Sequence, residues 1–238
     1  MKKLLLISCL YAIGSSAGLA APSSQWKHHL TAYFLGASMD GNVELGPIGS
    51  EVDLSFSEIA DRLELGGMVN YRAEKDKFSL GLDVLYMGLG GSALGMGEVD
   101  YDQWMVEGTA GWRLTEMIEL IAGVRYNDVA IDVDFDNPLL PTLAKSKGWF
   151  DPIVGARLWI PVSSSLDCII RGDVGGFGVG SDLTWQLSGH LRYAFTSTFS
   201  GLLGYRYVYM DYDTGDGLNR FVYDMAIHGP TLGLSWTF

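Results

Sequence analysis

The segment Thr231-Leu232-Gly233-Leu234-Ser235-Trp236-Thr237-Phe238 alternates between large apolar side chains and small or polar ones. Successive side chains of a β-strand point to opposite faces, so Leu232, Leu234, Trp236 and Phe238 share one face and the remaining four residues share the other. Such a strand separates an apolar surface from a polar one. This stretch therefore predicts an amphipathic strand that ends on an aromatic residue.

The same period of two recurs along the chain, most clearly over 182–193. Each repeat is about as long as the ~9–11 residues that cross a bilayer as a tilted strand. Strands of soluble proteins average only ~5–6 residues. The pattern predicts ten strands, near 26–38, 62–73, 77–89, 99–113, 117–132, 148–160, 165–175, 182–195, 198–211 and 220–238.

The connections between these segments alternate in length. Short turns are predicted at 74–77, 114–116, 161–165 and 196–198, and longer acidic or glycine-rich loops at 39–61, 90–98, 133–147, 176–181 and 212–219. Short periplasmic turns, long outer loops and an even strand count are typical of bacterial outer-membrane barrels. We therefore predict an all-β fold, a transmembrane antiparallel up-and-down β-barrel of about ten strands. A soluble barrel is the alternative.

The N-terminal segment has the three parts of a secretory signal. Met1-Lys2-Lys3 is basic, an apolar stretch runs from Leu4 to Ile13, and Gly18-Leu19-Ala20 supplies small residues for cleavage. We predict a signal peptide over 1–20 and a barrel domain over 21–238. A lipoprotein box ending at Cys9 is the alternative, but processing there leaves too short a segment for export.

Composition limits the class of protein. Beyond residue 20 the chain keeps one cysteine, Cys168, so it cannot form an intrachain disulfide. Loss of Lys2 and Lys3 leaves 14 basic residues against 28 acidic ones, a net charge of −14, which disfavours nucleic-acid binding. The 31 Gly, 12 Tyr, 10 Phe and 7 Trp suit a barrel with aromatic girdles.

Two segments depart from the strand pattern. Phe56, Ile59, Ala60 and Leu63 recur at helical spacing behind a possible cap at Ser55, which predicts a short helix within 53–63 in the first outer loop. Its apolar face needs a partner in the barrel mouth, the lumen or the lipid interface. Pro230 cannot donate to a strand ladder, so we expect a bulge there.

Three blocks of sequence carry a resemblance to a known family. They are 53–59 (DLSFSEI), 171–186 (RGDVGGFGVGSDLTWQ), and 221–224 (FVYD) followed by Gly229-Pro230. They resemble the signature blocks of uncharacterised proteobacterial outer-membrane β-barrel proteins, which have the general architecture of small OmpA-like and OmpW-like barrels. The resemblance covers essentially all of the chain after the signal. It implies the fold and an outer-membrane location in a Gram-negative bacterium, and it implies no catalytic residue and no cofactor.

Strand parity also predicts the contents of the lumen. The faces opposite the large apolar residues carry seven basic and seven acidic side chains: Arg72, Arg113, Arg125, Arg157, Arg171, Arg192 and Arg206, with Glu64, Asp83, Glu107, Glu119, Asp151, Asp167 and Asp173. A ten-strand barrel is too narrow to keep these charges apart. Balanced charges predict a closed, salt-bridged lumen and a structural or interaction role, whereas a narrow channel for a small solute favours one sign at a constriction.

An enzyme is the third hypothesis, as an outer-membrane protease or a lipid A-modifying enzyme. His190 shares the inward face with Ser188, and Asp173 lies on the preceding strand. His228 and Asp224 lie too far apart along one strand for a direct hydrogen bond. We interpret the lone inward histidine as a network member.

Metal and phosphate sites have weaker support in the sequence. Asp132, Asp134 and Asp136, and the cluster Asp211, Asp213 and Asp216, could hold Ca²⁺ through carboxylate oxygens, but solvated strand tips are the favoured explanation. The glycines of 175–180 lack the Lys-Ser/Thr and the helix of a phosphate loop. We therefore predict no metal, cofactor or nucleic-acid partner. The expected partners are outer-membrane lipid and lipopolysaccharide, the barrel assembly machinery and periplasmic chaperones.

The terminal strand resembles the signal that the barrel assembly machinery recognises, carried by Leu232, Leu234, Trp236 and Phe238. Deletion of Phe238 is therefore expected to lower outer-membrane assembly while export across the inner membrane stays intact. Cell fractionation with immunoblotting measures both. Normal assembly of the variant would contradict the targeting role.

Overall fold

The computed structural model describes residues 25–93, 97–135 and 142–238. The segment predicted as a signal peptide lies outside these residues. The described residues form twelve strands: β1 (Lys27–Leu35), β2 (Ser38–Leu45), β3 (Ile48–Leu54), β4 (Leu63–Lys75), β5 (Phe78–Ala93), β6 (Gly97–Arg113), β7 (Ile118–Phe135), β8 (Leu143–Pro161), β9 (Leu166–Gly176), β10 (Leu183–Ala194), β11 (Phe199–Thr214) and β12 (Phe221–Thr237).

The sheet closes into a barrel through its last strand. Antiparallel neighbours follow in the order β1, β4, β5 and onward to β12, and β12 pairs back with β1 from His29↔Thr237 to Leu35↔Thr231. The outer half of β12 pairs instead with β2. β1 and β2 thus act as one wall strand, which gives the predicted ten-strand barrel, and β3 adds a hairpin to β2.

The wall strand breaks at Gly36-Ala37, and this break accommodates Pro230. The ladder between β11 and β12 runs through Tyr205↔Pro230 in continuous register, so the bulge predicted in β12 is wrong. The Gly36 amide donates to the Pro230 carbonyl at 2.8 Å, so the side of Pro230 that lacks an N–H faces the break. A Cβ on Gly229 would collide with the Gly36 carbonyl, which explains a glycine at this close approach.

Much of the sequence predicted as outer loop is strand. The segment 39–61 contains the β2–β3 hairpin, and within the described residues β5 to β8 and β11 continue into the predicted loops 90–98, 133–147 and 212–219. Inward apolar and outward acidic residues keep alternating there, so the ladder extends beyond the membrane. The predicted loop 176–181 is a turn, and a short 3-10 helix, Gly217–Asn219, lies in the last connection.

The predicted short helix is confirmed as α1 (Phe56–Arg62). The Ser55 side chain caps it, and the Ser55 amide donates to Glu58 Oε2 at 3.0 Å in a capping box. Hydrogen bonds from the Ser55 side chain and backbone lower the pKa of Glu58. Ile59 is buried where β1 leaves β4, in an apolar gap lined by residues that include Leu35, Gly66 and Gly67. The helix therefore covers a gap in the wall.

The outer surface of the barrel is an apolar band between two rings of aromatic side chains. Exposed residues of the band include Leu82, Leu120, Leu187, Leu203 and Leu234. The ring at the end of the barrel that holds the chain termini, called the inner ring, contains Trp26, Phe78, Trp112, Phe195, Phe199 and Trp236. The ring at the opposite end, called the outer ring, contains Tyr86, Trp104, Tyr126, Phe150, Trp185, Tyr207 and Tyr209.

The height of the band matches a membrane. On β11, Phe199 of the inner ring and Tyr209 of the outer ring lie ten residues apart. At ~3.4 Å per residue and a tilt of ~40°, this is a height of about 26 Å, close to the ~25 Å apolar band of outer-membrane barrels. The short turns lie on the inner-ring side, together with the first residues of β1 and the last residues of β12. This is the periplasmic side in such barrels.

The apolar band predicts that a charged substitution on the outward face destabilises the barrel by an amount that depends on its height in the membrane. Leu203 lies halfway between the rings and is 58% exposed, so Leu203→Arg is expected to destabilise the barrel in lipid vesicles, by ~2–4 kcal/mol. Val222 also faces outward but lies beyond the outer ring, opposite Asp213 and Glu44, so Val222→Arg is the matched control. Urea unfolding followed by tryptophan fluorescence measures both. Equal effects would contradict the position of the membrane.

Candidate functional site: the barrel lumen

The lumen is layered along its axis. Polar and charged side chains line its periplasmic half, and apolar side chains fill its outer half. β12 illustrates the change, since inward Thr231 and Ser235 lie toward the periplasm and inward Tyr223 and Met225 lie toward the outside. The functional candidates are therefore the charged layer, the apolar layer and the periplasmic space below both.

The centre of the charged layer is Arg125, which is completely buried. Its Nη2 lies 2.8 Å from Glu107 Oε2 and 2.7 Å from Asp173 Oδ1. Arg171 contacts the same two acids, at 2.6 Å and 2.7 Å. Two guanidinium groups and two carboxylates thus form a closed square that joins β6, β7 and β9 across the lumen. Thr184 accepts a further bond from Arg125.

A second cluster lies beside this square. Arg206 Nη1 is 2.9 Å from Asp83 Oδ1 and also donates to the Tyr33 hydroxyl at 2.9 Å. Tyr33 in turn donates to Asp83 at 2.5 Å, and Arg206 Nε donates to Gln186 at 3.1 Å. The contacts join β11 to β1, which lies two strands away beyond β12, and to β5 across the lumen. Arg206 is 3% exposed and points into the lumen.

A third cluster surrounds Trp159 near the periplasmic mouth. The guanidinium carbons of Arg72, Arg157 and Arg113 lie 4.5, 5.4 and 5.6 Å from the centre of its ring. Glu119 contacts Arg72 and Arg157, each at 2.8 Å, and Glu74 contacts Arg113 at 2.8 Å. The cluster therefore holds three cationic groups with two carboxylates, a combination of ion pairs and cation–π contacts.

The remaining predicted residues lie apart from these clusters. Arg192 pairs with Asp167 at the mouth. Asp151 accepts hydrogen bonds from Asn127, Trp149 and Ser181 rather than from a basic group. Glu64 lies at the outer end on an irregular stretch of β4, where the register shifts between Leu63 and Leu65, and it is exposed. Its place in the lumen network is therefore a wrong prediction.

Several lumen residues have no counterpart in the sequence prediction. Glu74 falls in the predicted turn 74–77, and His29 and Tyr33 lie on β1, where the outward face mixes apolar residues with His28 and Ala32 and parity is hard to read. Neutral partners such as Gln186 and Thr184 carry no charge to mark them. Trp159 faces inward, whereas a large aromatic residue in a barrel sequence normally indicates the lipid face.

The outer half of the lumen is filled by a methionine-rich apolar plug. Its buried members include Met39, Met68, Met87, Met105, Val129, Trp149, Val208, Met210, Phe221, Tyr223, Met225 and Ile227. Five of these side chains, including Met210 and Phe221, are essentially inaccessible to water. Arg206 Nη2 lies 3.6 Å from the Met105 sulfur, so the plug rests directly on the charged layer. The outer lumen is thus packed like a protein core.

An aromatic stack completes the plug at its low side. β9 and β10 are the shortest strands from β4 onward, so the wall is lowest at their turn. Above that turn, Trp149 of β8 stacks on Tyr212 of β11, with ring centres 4.1 Å apart and planes 8° apart. The two rings thus span the space above the β9–β10 turn and connect β8 to β11, the longer strands on either side of it.

The contact between His190 and Asp173 that the enzyme hypothesis requires is not formed among the described residues. Asp173, the proposed partner of His190, is engaged by Arg125 and Arg171 and lies opposite Gln186, four residues along β10 from His190. His228 faces outward and contacts Asp40 and Tyr205, each at 2.7 Å.

The acidic clusters form no metal site in the described part of the chain. Within residues 25–93, 97–135 and 142–238, no group of three or more His, Cys, Asp or Glu side chains is arranged to hold a metal ion. Asp136 lies outside the described residues. No helix of these segments is long and apolar enough to cross a membrane.

A closed sheet, an apolar band between aromatic rings and a charged interior together define an integral β-barrel protein of the outer membrane. Backbone groups in lipid must be paired within the protein, and an antiparallel barrel with an outward apolar face meets this condition. The class follows from the fold itself.

Solved structures of bacterial outer-membrane barrels are similar to the chain at low identity. The attachment invasion locus protein Ail of Yersinia pestis is 10% identical, covering 90% of this chain and 99% of that one, with a TM-score of 0.39. The toluene transporter TbuX of Ralstonia pickettii is 9% identical, covering 90% and 89%, with a TM-score of 0.42. Neisserial surface protein A is 10% identical, covering 90% and 97%, with a TM-score of 0.36.

No family model and no curated protein matches the sequence. The resemblance to a particular family of small barrels therefore stays a prediction, and no role is transferred from another protein to a residue of this one.

The buried square predicts a large effect of losing Arg125. Arg125→Met leaves Glu107 and Asp173 with one shared cation and is expected to destabilise the barrel, by about 3–5 kcal/mol. Arg192, 32% exposed and paired only with Asp167, is the control, since exposed pairs contribute ~0–1 kcal/mol. Urea unfolding in vesicles compares Arg125→Met with Arg192→Met. Equal losses would mean that the square has no special energetic role.

Proposed function

We propose that this protein is a non-conducting outer-membrane barrel with a structural or interaction role. The observation that carries the proposal is the packed outer lumen above the charged layer. A solute crossing the barrel would have to displace buried methionine and aromatic side chains and then break the Arg125 square. Both steps disrupt packing or ion pairs that stabilise the fold.

The extension beyond the membrane supplies the surface for an interaction role. β5 to β8, β11 and β12 continue past the outer aromatic ring, and the β2–β3 hairpin adds to them. Outward acids lie on this extension, among them Asp102, Asp128, Asp211 and Asp224. Tyr86 of the ring donates to Asp102 at 2.5 Å, and Tyr126 donates to Asp128 at 2.9 Å.

The position of these acids favours contact with the polar outer leaflet. Ring tyrosines lie where lipid headgroups meet the apolar core, so the acids that they contact lie among or above the headgroups. Lipopolysaccharide is the expected neighbour at this level. Cationic groups or divalent ions would have to mediate its contact with an acidic surface, because both partners are negatively charged.

Two alternatives have less support. A narrow channel requires a continuous polar path, whereas the polar path from the periplasm ends at Arg206 and Met105. The hydrolytic arrangement considered for His190 requires Asp173 to orient the histidine, and Asp173 is instead paired with two arginines. We accordingly assign no catalytic residue.

Bilayer conductance tests the proposal. Refolded protein, shown to be inserted by its heat-dependent gel migration, is expected to give no discrete openings in a planar bilayer because its lumen is packed. Arg206→Ala and Arg220→Ala provide a matched pair, one in the lumen and one on the exposed outer end. Openings of the unmodified protein that disappear in Arg206→Ala and persist in Arg220→Ala would establish a channel and overturn the proposal.

A further inference from the structure

We infer that the periplasmic half of the lumen is a binding site for a small soluble anion carrying two or more phosphate or carboxylate charges. The site is a cavity of about 450 Å³ below the charged layer, within the range of ~300–1,000 Å³ that is usual for small-ligand sites. Its roof includes Tyr33 and Arg206, and its mouth includes Lys27, Met117 and Pro161. It opens to the periplasm, since these mouth residues lie at the periplasmic strand ends and turns.

Cations predominate among the charged side chains that line the cavity. Seven are basic, Lys27, Arg72, Arg113, Arg157, Arg171, Arg192 and Arg206, and four are acidic, Glu74, Asp83, Glu116 and Asp167. Glu107, Glu119 and Asp173 lie behind the basic groups and balance much of their charge. The surface that a ligand would meet is therefore cationic, although the whole chain has a net charge of −12.

The cluster around Trp159 is the centre of the proposed site. Glu119, the shared partner of Arg72 and Arg157, is only 1% exposed, whereas these arginines are 12% and 14% exposed and Arg113 is 29% exposed. The carboxylate thus lies at the back and the guanidinium groups lie at the front. Their exposed edges border the cavity beside a flat indole ring.

The cluster also has unused donor capacity. Three guanidinium groups share two carboxylates, so one positive charge has no counter-charge within the cluster. The Nε of Arg72 is buried and makes no hydrogen bond with any described residue. Buried donors are normally paired, and an unpaired one needs an explanation. A bound anion at the exposed guanidinium edges would supply the missing charge, and the Arg72 side chain would have to turn toward the cavity for its buried Nε to donate to that anion.

The geometry selects the class of anion. Guanidinium groups present planar forks of N–H donors that match phosphate and carboxylate oxygens in pairs. Three such groups lie within 5.6 Å of the centre of one ring, so an anion with several oxygens can contact more than one of them. A chloride ion lacks the paired acceptor oxygens that match the two parallel N–H groups of each guanidinium fork. Lys27 and Arg192 extend the cationic surface to the mouth.

Calorimetric titration of the refolded barrel with pyrophosphate tests this inference. In a zwitterionic detergent at constant ionic strength, we expect saturable binding of one pyrophosphate per barrel. Arg113→Gln, the least buried of the three arginines and thus the least harmful to folding, is expected to weaken binding by about tenfold or more, as expected for the loss of a charge-assisted hydrogen bond. Arg157→Gln provides a second variant at the same ring.

Arg220→Gln is the matched control, because it removes the same charge from the outer end of the barrel, where Arg220 is 44% exposed. Its affinity for pyrophosphate is expected to stay within about twofold of the unmodified protein. All variants are first checked for heat-dependent gel migration. Absence of saturable binding to the folded, unmodified barrel would overturn the inference. Equal weakening by Arg113→Gln and Arg220→Gln, or equal competition by chloride at the same ionic strength, would do the same.

Discussion

Backbone hydrogen bonding within lipid leaves a sheet no free edge, and the pairing of the last strand meets this constraint here. β12 closes the barrel by pairing with β1 over its periplasmic half and with β2 over its outer half. The break between these partners lies opposite Pro230. Pro230 has no N–H to donate to a continuous neighbouring strand, and it accepts a single hydrogen bond from Gly36 at the break. α1 then covers the gap that the break leaves beside β4. The closure, the hairpin and the helix are therefore parts of one solution to the same constraint.

Closure of a ten-strand wall forces the inward side chains into contact, and they separate into two kinds of packing. In the membrane-embedded half, charges meet as the Arg125 square and the Arg206 and Trp159 clusters, which join strands that are not neighbours in the wall. In the outer half, the same wall encloses methionine and aromatic side chains. Methionine suits such a space, because its flexible side chain fills irregular gaps between strands that do not pack as flat sheets. The boundary lies where Arg206 contacts Met105.

The sequence predicted the wall well and the ends of the strands less well. Alternation is strong in the part of the wall that lies within the bilayer, because lipid requires apolar residues on the outer face and the narrow lumen requires polar ones on the inner face. Beyond the membrane, water lies outside and an apolar plug lies inside, so the inward residues become apolar and the outward ones acidic. Met39, Val43 and Leu45 keep the period of two through this change, which is the signal that would have identified β2. Acidic residues and glycines were instead interpreted as loops.

The amino-acid sequence by itself determined the class of fold, the terminal strand from Leu232 to Phe238, the capped helix at Ser55 and most of the charges that face inward. These follow from local rules, since strand parity and capping depend on residues a few positions apart. Only the tertiary structure decided which charges meet, that Glu64 lies outside the lumen network, that Trp159 faces three arginines, and that a plug closes the outer lumen above an open periplasmic cavity. These depend on the register and stagger of strands far apart in the chain, which no local pattern records.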